Sequence, residues 1–115
     1  MIDELRYSLT VGLVANLMQP DPERVPPIER LSVALAQHAG QQAVGEAMHA
    51  ARIVAIQHMR ELMIPVIQQQ RVTPTLELAE RVARMSAALV RVGGPEALEK
   101  LINTVVPPAQ PVFSG

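Results

Sequence analysis

Residues 42–69 read QAVGEAMHAARIVAIQHMRELMIPVIQQ. The apolar positions Val44, Met48, Ala51, Ala55, Met59, Leu62 and Val66 return every three or four residues, the period of one face of an α-helix. Ile53, Ile56, Ile64 and Ile67 carry apolar surface well beyond that stripe, so this helix is expected near the middle of a bundle with neighbours on more than one side. Pro65 should kink or end it near its close, because a proline removes a backbone donor and crowds the carbonyl four residues back.

Upstream, a helix is expected from Asp3, a plausible N-cap with Glu4 in the first turn, to about Gln19. Its apolar residues fall in two stripes, Ile2, Leu5, Leu9, Leu13 and Leu17 on one side and Tyr7, Val11, Val14 and Met18 on the other. Two apolar sides call for two neighbours. The stretch PDPERVPP, residues 20–27, holds four prolines and reads as a stiff connector. A second helix starts at Pro27 and carries Ile28, Leu31, Leu35 and Ala39 on one face as far as Gly40.

Downstream, RVTPT makes a turn, with Thr73 as N-cap, Pro74 as first helical residue and Glu77 in the first turn. The helix that follows, to Val92, is cleanly two-faced: Glu77, Glu80, Arg81, Arg84 and Arg91 on one side, Leu78, Val82, Met85, Leu89 and Val90 on the other. Gly93-Gly94 stops it and Pro95 opens a short last helix with Leu98, Leu101, Ile102 and Val105 inward. Pro107-Pro108 ends that helix, and residues 107–115 are expected to form a loosely held tail. No internal repeat is visible. The expected fold is all-α, an antiparallel bundle of about five helices in a single domain over residues 1–106, with a long, Pro-kinked central helix.

Composition narrows the function classes. The 115 residues are 49% hydrophobic but only 2% aromatic, Tyr7 and Phe113, so the core must be built from aliphatic residues and methionine. The formal charge is −1, with ten basic residues spread among eleven acidic ones. That distribution offers no basic stripe for duplex nucleic acid and no stacking platform for single strands. The absence of cysteine excludes disulfides, thiolate metal sites and a cysteine nucleophile. No apolar run approaches the ~18 residues of a membrane span, and no signal peptide is visible, which makes a cytoplasmic protein the expectation. A single lysine, Lys100, against abundant arginine and alanine hints at a GC-rich bacterial gene.

Candidate chemistry is sparse. His49 and His58 stand nine residues apart, which at ~100° per residue places them on opposite sides of one helix, and no zinc-type spacing is present. Glu77 and Glu80 share a face with Arg81 and Arg84 and read as helical ion pairs in water. Ser86 has no histidine near it in sequence and reads as a serine bonding back one turn. RVGGPEAL has a helix before it where a phosphate loop needs a strand, so it is a turn between helices. With no nucleophile, metal set or acid–base pair, the chain is not expected to be an enzyme, nor to carry a metal or cofactor. Arg52 and His58 flank the apolar side of the long helix near Met48, Met59 and Met63. Either they snorkel from the core's border to water, or they orient a ligand in a partly apolar pocket shaped by the methionines.

The stretch VTPTLELAERVARMSAALVRVGGPEALEKLINTVVPPA, residues 72–109, resembles the ligand-binding and dimerisation domain of TetR-type transcriptional regulators. The matching parts are the Thr73-Pro74 helix start, the Ala- and Leu-rich helix from Ala79 to Val92, the Gly93-Gly94 turn, and the last helix from Leu98 into the Val-Val-Pro at Pro107. RELMIPVIQQQ is similar to that family's preceding helix, and PDPERVPPIERL to its Pro-rich connector, so the likeness covers most of the chain from Pro20. The family's helix-turn-helix headpiece has no counterpart, so the chain is expected to be a back half without DNA-binding activity of its own.

The resemblance implies an effector-binding and dimerisation domain. A small apolar or amphipathic molecule would meet Met48, Arg52, Ala55, His58, Met59 and Met63. A homodimer would form through the last two helices, with Leu78, Val82, Met85, Ala87, Leu89, Leu98, Leu101 and Ile102 in the contact. The alternative is a small helical protein–protein interaction module with no small-molecule ligand.

Overall fold

The computed structural model describes residues 1–106; the expected tail at 107–115, with the Pro107-Pro108 stop, lies outside the described residues. The chain is all-α, as its periodicity requires. Its five α-helices are α1 (Ile2–Met18), α2 (Val25–Ala39), α3 (Gln41–Val72), α4 (Leu76–Gly93) and α5 (Pro95–Val105), with a 3₁₀ turn at Pro22–Arg24 and no strand among the described residues. It falls into two compact units, Met1–Met59 and Arg60–Gly115, divided inside α3. Chain length alone carries no sign of that division.

In the first unit α1 begins at Ile2 with Met1 at the N-cap, one residue ahead of the expected start, so Asp3 and Glu4 both sit in the first turn where carboxylates favour the free amides. It ends at Gln19 because the residue before a proline is driven out of helical geometry. The connector is tied down by side chains. Asn16 Oδ1 accepts from the Asp21 N–H at 3.0 Å, Asp21 Oδ1 accepts from the Glu23 N–H at 3.0 Å, and the Arg24 guanidinium donates to the carbonyls of Ala15 (3.2 Å) and Gln19. A cation there suits the negative end of the α1 dipole, reinforcing the Ala15 carbonyl, which already accepts from the Gln19 N–H, and supplying a donor to that of Gln19. α2 starts at Val25 rather than Pro27, with Pro26 and Pro27 in a first turn whose amides have no helical partner to lose.

Leu9 of α1, Leu35 of α2, and Ala43 and Ala47 of α3 form the buried cluster, with Leu5, Leu13, Ile28, Leu31 and Val44 packed against it. Leu9 and Leu35 are withdrawn from water completely, a gain of about 1.5–3 kcal/mol each. Gly40 joins α2 to α3 by itself: at φ 88° it donates to the Ala36 carbonyl and accepts from the Ala43 amide. That backbone region is open to glycine and strained for other residues.

Along α3 the buried positions are Ala43, Ala47, Ala51, Ala55, Met59, Met63 and Val66, whereas Met48 and Leu62, expected inside, are about half exposed. The helix is apolar on nearly every side, so periodicity fixes its pitch and not its phase. The alanine stripe is the side on which neighbouring helices can close without displacing bulk. Pro65 does not end α3, which continues to Val72. The proline is exposed, so the Glu61 carbonyl that loses its donor is on the side where water can replace it.

In the second unit Thr73 closes α3, its N–H donating to the Gln69 carbonyl, and the N-cap of α4 is Thr75. Thr75 Oγ1 accepts from the Leu78 N–H at 3.1 Å, and Gln70 Oε1 accepts from the Thr75 N–H at 3.1 Å. The cap therefore lies two residues beyond the expected Thr73: Thr75 is the extended residue, at φ −136° and ψ 156°, whose hydroxyl reaches the first turn of α4. α4 buries Leu78, Leu89 and Val92, and α5, packed against it, buries Leu101 and Val105. Gly94, at φ 82°, repeats the Gly40 device between these two helices. Arg71 Nη1 donates to the Val105 carbonyl at 3.1 Å and so caps the C-terminal end of α5.

Candidate functional site

No polar or charged side chain is buried among the described residues. Ionisable groups withdrawn from water are the usual mark of acid–base machinery, so hollows in the surface, and not a buried constellation, are where binding has to be sought. Two hollows in the first unit are each walled by α1 and α3.

The larger follows the second apolar stripe of α1. Tyr7 is 72% exposed and Val11 50%, with Val14 and Met18 half-buried. With Thr10 and Ala15 of α1 and Val54 and His58 of α3 they line a groove of about 470 Å³. Its polar groups are the Tyr7 hydroxyl, the His58 imidazole and Thr10, whose Oγ1 already donates to the Arg6 carbonyl at 2.7 Å and so offers a ligand only an acceptor.

The smaller hollow, about 310 Å³, is lined by Leu13 and Leu17 of α1 and by Met48, His49 and Arg52 of α3. His49 and His58 therefore lie in different hollows, as their nine-residue spacing requires. A depression of about 440 Å³ at Pro26, Glu29, Arg30, Val33, Ala34 and Gln37 is lined by α2 alone, and a single helix surface cannot enclose a ligand.

The six residues expected to form one ligand pocket are not brought together. Met48 and Arg52 line the smaller hollow and His58 the larger, while Ala55, Met59 and Met63 are buried and among the lining residues of neither. The cause is the phase of α3: the stripe at 55, 59 and 63 faces inward, and positions 48, 52 and 58 are distributed to either side of it. The α1 contributors Leu13, Leu17, Tyr7 and Val11 were absent from the expected set. Their signal was present in the double apolar stripe, which required something on both sides of α1.

The residues expected in a dimer contact also divide. Leu78, Leu89 and Leu101 are buried within the chain, Val82, Met85 and Leu98 are half-buried, and Ala87 and Ile102 are exposed. Only the last five can be reached by another molecule, and the first three back them. Leu98 and Ile102 line a hollow of about 270 Å³ with Val90, Pro95, Glu99 and Asn103.

Among the described residues no three of His, Asp or Glu are grouped as a metal site, and no helix is long and apolar enough to cross a membrane. No family model, no curated protein and no solved structure matches the chain.

Proposed function

We propose that the chain is an effector-binding and pairing module of the kind that forms the regulatory half of TetR-type regulators, without DNA-binding activity of its own. The observation that carries this reading is the Tyr7–His58 groove: about 470 Å³, within the range of small-molecule sites, with apolar walls and a few polar groups to fix orientation. The effector is a small apolar molecule lying along Val11, Val14, Met18 and Val54, with its polar end toward His58 or the Tyr7 hydroxyl. Its binding shifts the balance between arrangements of the helices, by as much as its affinity differs between them. Pairing uses Ala87, Leu98 and Ile102 on α4 and α5.

Native mass spectrometry of the gently purified chain tests both parts. A dimer carrying added non-protein mass is expected. Val14→Trp, which plugs the groove, should remove the added mass, and Ala87→Arg with Leu98→Arg should leave a monomer. A dimer that survives the two arginines removes the α4–α5 assignment. A formal charge of −1 predicts no salt-sensitive association with duplex DNA, and steep weakening of such binding as salt rises would contradict this reading.

A second reading, a helical interaction module without a small-molecule ligand, is favoured by the exposure of Tyr7 and Val11. Apolar side chains so open to water are covered more fully by a protein partner than by a small molecule. A bare monomer in the spectrum would favour it.

A further inference from the structure

The smaller hollow differs in chemistry from the Tyr7–His58 groove. Its apolar wall is Leu13, Leu17 and Met48, and its two polar groups, His49 and Arg52, are three residues apart on one side of α3. Both are donors. A guanidinium presents five N–H groups in a planar fork, and an imidazole donates from at least one nitrogen in either charge state. No carboxylate is among the lining residues. Along α3 the nearest is Glu46, an exposed residue that accepts from Gln42 Nε2 at 3.4 Å. Arg52 already takes part in an interaction within the chain, and five donors leave room for a ligand beside it.

We propose that this hollow binds a small amphipathic anion. Its aliphatic part lies on Leu13, Leu17 and Met48, and its oxygens accept hydrogen bonds from Arg52 and His49. The anionic head is a carboxylate or a phosphate monoester, both of which match the guanidinium fork. A hollow of about 310 Å³ is at the small end of ligand sites, so the aliphatic part is short. The site is independent of the Tyr7–His58 groove, which offers no permanent cation.

The test is a titration of the ¹⁵N-labelled full chain, followed by ¹H–¹⁵N NMR, with octanoate, octyl phosphate and octanol in parallel. Saturable shifts at Leu13, Leu17, Met48, His49 and Arg52 are expected with at least one anion, and the tighter of the two identifies the head group. Octanol should bind at least tenfold more weakly at the same residues. Arg52→Gln should weaken the anion at least tenfold and leave octanol unaffected, while Arg52→Lys, which keeps the charge and loses the fork, should fall between. Arg52 is exposed, and an unchanged circular dichroism spectrum will show that each variant is folded. Octanol matching the anions, Arg52→Gln matching the parent, or shifts confined to Tyr7, Val11 and His58 would each overturn the proposal. A neutral ligand that still binds the Tyr7–His58 groove would then leave the effector reading standing.

Discussion

α1 and α4 are nearly the same length, 17 and 18 residues, and solve different problems. α4 keeps its apolar residues on one side, buries Leu78, Leu89 and Val92, and turns Glu77, Glu80, Arg81 and Arg84 to water. α1 has apolar residues on both sides, buries only Leu9 completely, and leaves Tyr7 and Val11 exposed. Burial within the chain explains most of the pattern of α4, although Leu76 at its first residue is 76% exposed. It explains half of α1, and the unexplained half is one wall of the Tyr7–His58 groove. Apolar surface that folding does not use is where a binding function is best sought.

The sharpest way to break this contrast is to attack the explained half of each helix. Leu9→Ala in α1 and Leu89→Ala in α4 each remove a side chain with no exposure, and each should cost about 2–5 kcal/mol in chemical denaturation. Leu35→Ala, which opens the same cluster as Leu9, should fall in that range. If Leu9→Ala costs less than about 1 kcal/mol, the inner stripe of α1 is as idle as its outer one and the contrast disappears.

What the sequence made legible follows the same line. The inward face of α4 was legible, though its start was not, because a single apolar stripe can be buried in only one way, and the all-α class followed from periodicity. The stops at Gly40 and Gly93-Gly94 were visible because glycine is the residue suited to positive φ, which Gly40 and Gly94 adopt. The phase of α3 was not legible, since Val44–Met48 and Ala43–Ala47 offer stripes of equal regularity and only packing against Leu9 and Leu35 chooses between them. That same phase decides the hollows, which is why a pocket drawn through Met48, Ala55, His58 and Met59 was divided among three sides of the helix. Arg24 and Arg71, which cap α1 and α5 through contacts to distant backbone carbonyls, carried no local signal.

A second test concerns α3. An interior proline costs a helix about 3 kcal/mol relative to alanine, and Pro65 is exposed inside a helix that continues to Val72. Pro65→Ala should therefore stabilise the chain by roughly 1–3 kcal/mol. Destabilisation would mean that the proline's geometry is required in the last turns of α3. Smaller again is the cap of α4: Thr75→Ala should cost about 1 kcal/mol and Thr73→Ala much less, because only Thr75 accepts from the Leu78 amide. Equal costs would return the cap to Thr73.

The smallest expected effect is the most informative about function. Tyr7→Ser and Val11→Ser alter side chains that are 72% and 50% exposed, so each should change stability by less than about 0.5 kcal/mol. Near-zero values from chemical denaturation, unchanged across a hundredfold range of protein concentration, would mean that this face of α1 is open in the free protein. A ligand could then enter without displacing anything. A loss above about 1 kcal/mol, or one that grows with concentration, would mean that something already covers Tyr7 and Val11 in solution. The groove would then be an interface between copies, the effector reading would lose its site, and the outer stripe of α1 would have the same explanation as the inner one, burial.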